Sequence, residues 1–206
     1  MASFHILYDE EDTELGGYFE ACKSDLVRFL GDNLAGSPIS ELNASFDVAT
    51  LDAYLRGINP HNYLLIAYSH GDDSSLSRNG VRYISTQTNA SLLINSLFYA
   101  VSCLSANDLG PEIIGHGGHI FVGYRRTFMI PLDYQEVSIN CANSGLHMFI
   151  LGQKAGVAFE SMKAFYTTQI DRLMQFGAII AASLLVDARE SLVFLGDADL
   201  AITDFP

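Results

Sequence analysis

Residues Tyr63-Leu-Leu-Ile-Ala-Tyr-Ser69 run into His70-Gly71, and the run is apolar almost throughout. An uninterrupted apolar segment of this length reads as a parallel strand covered on both faces, since a strand with one wet face would alternate. Leu97-Phe-Tyr-Ala-Val-Ser102 repeats the pattern and ends at Cys103. A third such segment, His119-Ile-Phe-Val-Gly123, follows the glycine turn Gly115-His-Gly-Gly118.

Around these three segments the chain alternates. Residues 4–8 read as a first strand, and residues 18–34 as a helix with Phe19, Cys22, Leu26, Phe29 and Leu30 on one side, stopped by Gly31 and Gly36-Ser37-Pro38. A second strand is expected at 42–46 and a helix at 48–58, closed by Gly57 and Asn59-Pro60. The polar segment 72–79 precedes a small strand at 81–84 and a helix at 90–96. A short helix is expected from Asn107-Asp108-Leu-Gly-Pro111, with a carboxylate in its first turn, where the helix dipole favours it. Residues 134–185 show three- and four-residue apolar spacing, and 191–195 and 200–203 return to strand-like text. Strands alternating with helices in this way imply right-handed crossovers and an α/β sheet.

A chain of 206 residues, 49% hydrophobic, can bury one sizeable core, so we expect a single domain over 1–206. Charged residues are 17%, against about 25% in an average globular protein. The formal charge of −13 opposes binding to phosphate backbones, which needs clustered Lys and Arg, and argues against nucleic acid as a direct partner. The first dozen residues carry no basic region followed by a long apolar run, and the longest apolar stretch, 178–186, falls short of the roughly 20 residues that span a bilayer. The expectation is a cytoplasmic protein with no membrane partner. Cys22, Cys103 and Cys141 are odd in number and widely spaced, which suggests neither a disulfide framework nor a zinc site. His116 and His119 flank the glycine turn without a third ligand at a recognised spacing, so no metal and no cofactor are expected. The acidic run 9–14 reads as a solvated loop.

In an open parallel sheet, reactive residues collect just beyond the C-terminal strand ends. His70 and Cys103 both stand there on consecutive major strands, 33 positions apart. A cysteine nucleophile needs a base to reach the thiolate, and an imidazole supplies it and later protonates the leaving amine. Such a site calls for a thiolate of lowered pKa at Cys103. Gly71 lacks a Cβ, so its N–H can approach a substrate carbonyl and form an oxyanion hole with the amide of Cys103. Loss of one such donor commonly costs about 3 to 4 kcal/mol in rate.

Ile66-Ala-Tyr-Ser-His70-Gly71 together with Tyr99-Ala-Val-Ser-Cys103-Leu-Ser-Ala106 resembles the two signature strands of the caspase-like (clan CD) cysteine peptidases. The pair is most similar to the CHAT, separase-like branch and its gingipain-like relatives. Gly118-His-Ile-Phe-Val-Gly-Tyr124 is similar to the strand after the nucleophile, and Leu195-Gly-Asp-Ala-Asp-Leu200 resembles a Gly-Asp-Pro-x-Leu ending of gingipain-like domains. The resemblance covers residues 63–124 best. It implies a caspase-haemoglobinase-like three-layer α/β sandwich with a mostly parallel sheet. It also implies a cysteine endopeptidase, a thiol protease that cuts a protein substrate through a Cys103 thioester with His70 as acid and base, needs no cofactor, and works under an activating or regulatory protein, as in bacterial defence. By the same resemblance the pocket for the residue before the scissile bond draws on the loops after the nucleophile strand and the next strand, pointing to Asp108, Asp133 and Arg125-Arg126. An acidic pocket selects Lys or Arg and an arginine selects Asp or Glu, and the overall acidity favours the first.

Two departures set the alternatives. The caspase sequence Gln-Ala-Cys-Arg-Gly is absent, so a preference for aspartate is not implied, and no activation linker is evident. That absence keeps open a catalytically silent caspase-like scaffold or regulator. A small-molecule hydrolase or amidotransferase would want Gly-x-Cys-x-Gly, and Val-Ser-Cys-Leu-Ser lacks both glycines.

Overall fold

A computed structural model describes residues 2–43 and 45–205. The chain begins with strand β1 (Phe4–Tyr8), helix α1 (Gly16–Asn33), strand β2 (Ile39–Leu42), helix α2 (Val48–Ile58) and strand β3 (Tyr63–Tyr68). Three short strands follow, β4 (His70–Gly71), β5 (Ser75–Arg78) and β6 (Val81–Ser85), and then β7 (Ser96–Val101), helix α3 (Leu109–Gly115) and β8 (Ile120–Tyr124). Helices α4 (Gln135–Ile150), α5 (Ala155–Gln175) and α6 (Ile179–Ser191) lead to the last strand, β9 (Leu192–Gly196).

The main sheet has the order β2-β1-β3-β7-β8-β9, parallel except for β9. Its central strands are apolar throughout because helices cover both faces. Leu64, Ile66 and Tyr68 of β3 join Leu97, Tyr99 and Val101 of β7 under α1, α4, α5 and α6. The alternate residues, Tyr63, Leu65, Ala67, Phe98, Ala100 and Phe121, point to the other side against α2 and α3. This two-residue period is what a doubly covered strand requires. Each fully buried Leu, Ile or Phe contributes about 1.5 to 3 kcal/mol of transfer free energy.

Several expectations need revision. Helix α1 passes through Gly31, where a glycine costs about 1 kcal/mol, and it ends two residues later at Asn33, with the Leu34 N–H capping it on the Leu30 carbonyl. The second strand lies at Ile39–Leu42, because Pro38 offers its carbonyl to the Phe4 N–H and starts the parallel register there, leaving Phe46 to pack outside the sheet. The polar segment 72–79 holds β5, the middle strand of the small antiparallel sheet β4-β5-β6. Residues 90–96 form only one 3-10 turn, Ala90–Leu92: Asn95 takes φ 57 and Ser96 enters β7. Residues 200–203 are not a strand, since the Asp204 carboxylate accepts the Ala201 N–H and closes the turn Ile202–Asp204. Among the described residues no helix is long and apolar enough to cross a membrane.

Candidate active site

Strands β1, β3 and β7 are neighbours and parallel, so their C-terminal ends lie side by side. Asp9 and Asp12 follow the first, His70 the second and Cys103 the third. His70 and Cys103 line one small pocket, with Phe19, Ser102, Phe128 and Ile130 among its walls.

His70 is held from two directions. Its Nε2 lies 3.0 Å from Asp12 Oδ2, and its ring meets Phe19 edge-on at 5.6 Å. With Nε2–H donating to the carboxylate, Nδ1 keeps the lone pair that can accept a thiol proton. Asp12 is fixed by its own backbone: Oδ1 accepts the Leu15 N–H at 2.6 Å and the Glu14 N–H at 3.0 Å, and the Asp12 carbonyl accepts the Gly16 N–H as α1 begins. Burial alone would raise the Asp12 pKa. The two amides and His70 outweigh it and hold the carboxyl below its ordinary value.

The acidic run 9–14 is therefore not simply a solvated loop. Glu11 and Glu14 are exposed, but Asp12 is on His70 and Asp9 is fully buried. Asp9 Oδ2 accepts the Asn79 N–H at 3.0 Å, whereas Oδ1 has no partner among the described residues. Burial raises the Asp9 pKa, countered in part by the Asn79 amide. The tip of the β5–β6 hairpin is thereby tied to the loop that carries Asp12, with Asn79 Nδ2 donating to Glu11 as well.

Cys103 is half-buried and its thiol faces the Phe128 carbonyl, with Sγ 3.8 Å away. Burial pushes its pKa up, in contrast to the lowered thiol that the sequence leads one to expect. Leu104, the next residue, holds the left-handed conformation at φ 61, which turns the chain sharply just beyond the sulfur and is uncommon for a side chain of this size. Gly71 lies directly against this corner: a Cβ there would collide with Ser102 Oγ and come within 2.8 Å of the Cys103 carbonyl oxygen.

The other expected residues are more scattered. Asp108 and Arg125 are exposed and do not line the His70–Cys103 pocket. They flank one knot of bonds, in which the Asp73 carbonyl accepts the Asp108 N–H while Asn107 Nδ2 donates to the Asp73 carboxylate and the Arg125 carbonyl. Asp133 lies in a neighbouring groove that shares Ile130 with the pocket. No group of three His, Cys, Asp or Glu residues suited to a metal ion occurs among the described residues. Sequence reasoning missed Asp12, Phe128 and Ile130. The available signal for Asp12 was a carboxylate shortly beyond the end of a strand that pairs with the His70 strand.

A six-stranded, mostly parallel sheet with helices on both faces defines an α/β fold consistent with the caspase-like class. Among solved structures, the chain is similar to a complex of the pro- and mature domains of RgpB from Porphyromonas gingivalis, with a TM-score of 0.54 and 10% identity. The match covers 97% of this chain and 48% of that one, so the chain spans about half the length of its neighbour. No family model and no curated protein matches the sequence.

Proposed function

We propose that this protein is a cysteine endopeptidase with Cys103 as nucleophile, His70 as general acid and base, and Asp12 as the group that orients His70. The observation that carries the reading is the shared pocket: Cys103 and an Asp12-bound His70 at the ends of adjacent parallel strands. The fold shared with RgpB, a gingipain, is of the class that the motifs around both residues resemble.

In this reading His70 Nδ1 takes the Cys103 thiol proton, and the thiolate attacks the scissile carbonyl carbon. The oxyanion so formed takes hydrogen bonds from the N–H groups of Gly71 and Cys103. Collapse breaks the C–N bond, His70 gives its proton to the leaving amine, and a thioester remains. A water molecule, deprotonated by His70, then attacks the thioester, releasing the acid and restoring the thiol.

The thiol is half-buried and directed at the Phe128 carbonyl, and in this reading substrate or an activating protein draws the segment around Phe128 aside. The RgpB structure is a complex of pro- and mature domains, which supports control by a partner here. The same buried thiol favours, as second reading, a silent caspase-like regulator. Cleavage of a fluorogenic peptide library separates them: Cys103→Ala and His70→Ala abolish turnover with far-UV spectra unchanged if the first holds. Turnover retained by Cys103→Ala would sink it.

A further inference from the structure

A groove opens beside the Cys103 pocket, between residues 130–134 and the start of α6 with the turn before it. Ile130 lines both cavities, so they adjoin. The groove wall is apolar and uncovered: Leu132 is 69% exposed, Ile179 63% and Ile180 79%. Asp133 carries the only charge among its lining residues. Large aliphatic side chains this exposed, clustered around a concavity rather than scattered, mark a surface that meets another molecule.

We propose that this groove is a specificity subsite for the substrate polypeptide, taking a large apolar side chain with Lys or Arg beside it to pair with Asp133. The inference rests on the endopeptidase reading above. Two observations select a polypeptide as the occupant. The groove adjoins the pocket in which the peptide bond would be cut, the two sharing Ile130 in their walls, so a polypeptide seated across Cys103 can extend over it. The lone carboxylate among apolar walls, on a chain of net charge −13, complements a cationic segment. A methylene-rich contact of this kind discriminates about 10- to 200-fold between substrates.

The test uses a random peptide library displayed on phage and panned on the Cys103→Ala protein, which binds without turnover. Enriched peptides should carry a large apolar residue next to Lys or Arg, and Ile180→Asp in the same background should recover at least tenfold fewer of them. Ile180 is so exposed that this substitution leaves the urea midpoint in place. The wild-type protein should cleave the enriched peptides, and the single variant Ile180→Asp should cut them about tenfold less efficiently while peptides with Ser at the apolar position are cut equally by both. Equal recovery on Ile180→Asp, or an equal loss for both peptide sets, overturns the subsite. Groove-dependent enrichment without cleavage by the wild type overturns the endopeptidase reading and leaves the groove as a peptide-binding surface. A wild-type dimer in sedimentation velocity that Ile180→Asp converts to a monomer makes the groove an interface between copies and also overturns the subsite.

Discussion

Asp12 Oδ2 stands 3.0 Å from His70 Nε2 while its other oxygen is occupied by the amides of Leu15 and Glu14. The carboxylate is thus held by the chain that carries it, and the imidazole follows. Because those amides belong to the turn that starts α1, the start of a helix serves as the brace for a histidine 58 positions away.

Asp12→Asn keeps the shape and the oxygen that accepts the Leu15 and Glu14 amides, but it turns an amide N–H donor toward His70 Nε2, which reverses the imidazole tautomer and removes the charge that stabilises imidazolium. We expect kcat to fall by about 100-fold, the scale of one acid–base contribution, with KM nearly unchanged. Steady-state kinetics on the peptide library decide this. An unchanged kcat would remove Asp12 from the site.

Gly71→Ala sets a methyl group against Ser102 Oγ and the Cys103 carbonyl, neither of which can retreat freely from its turn. Overpacking of this kind costs about 1 to 3 kcal/mol. The urea midpoint should drop accordingly, and cleavage should be lost at temperatures where the variant remains folded, because the displaced backbone is the one that carries the nucleophile. A variant with wild-type stability and turnover would show that the corner relaxes.

The parts of this molecule that were legible in sequence are those set by local periodicity. The runs ending at His70 and Cys103 read as strands because burial on both faces makes every residue apolar, and α2 emerges with its bounds intact because Asp47 caps it through the Thr50 N–H and Asn59-Pro60 ends it. Strand β2 escapes local periodicity because its four residues, Ile39-Ser-Glu-Leu42, are half polar and owe their place to pairing with β1. The bond between Asp12 and His70 depends on β1 lying next to β3, a non-local fact that spacing does not carry. The Phe128 carbonyl at Cys103 is a backbone group, and backbone groups leave no signature in residue type.

Asp9 is a buried carboxyl with one satisfied and one unsatisfied oxygen, and burial raises its pKa. A folded pKa above the unfolded value means that the protonated carboxyl favours folding and that this favour is lost as pH rises through the carboxylate range. Asp9→Asn retains an acceptor for the Asn79 N–H without charge. It should stabilise the protein at pH 7 by about 1 kcal/mol, and the gain should vanish on acidification. Urea midpoints at pH 7 and pH 4 measure it. A destabilised variant at pH 7 would show that the charge is needed where it stands.

The three thiols should separate on alkylation. Burial pushes Cys141 up to about 12 and Cys22 higher still, while Cys103 is raised but half-exposed. Iodoacetamide on the native protein should give one adduct, at Cys103, at a rate that keeps climbing past pH 9 with no plateau near neutrality. Intact mass and peptide mapping read this out. A plateau near pH 7 would mean that His70 already holds the thiolate at rest and that burial does not govern it.

His5 supplies the acid side of the stability profile. It is buried beneath Tyr54, whose hydroxyl lies 2.6 Å from Nδ1, and burial lowers its pKa from 6.5 to about 4. The unfolded chain therefore takes up a proton before the folded one does. The stability associated with neutral His5 is complete above pH 6.5 and drains away as the pH falls toward 4, at most about 1.4 kcal/mol per pH unit for one proton. The lowered carboxyls of Asp12 and Asp25 act in the same direction at still lower pH. His5→Gln preserves a polar partner for Tyr54 without a titrating group, so its unfolding free energy should stay nearly flat between pH 6.5 and 4.5 where that of the wild type declines. Parallel slopes for the two proteins in urea titrations across that window would show that His5 protonates without cost in the folded state.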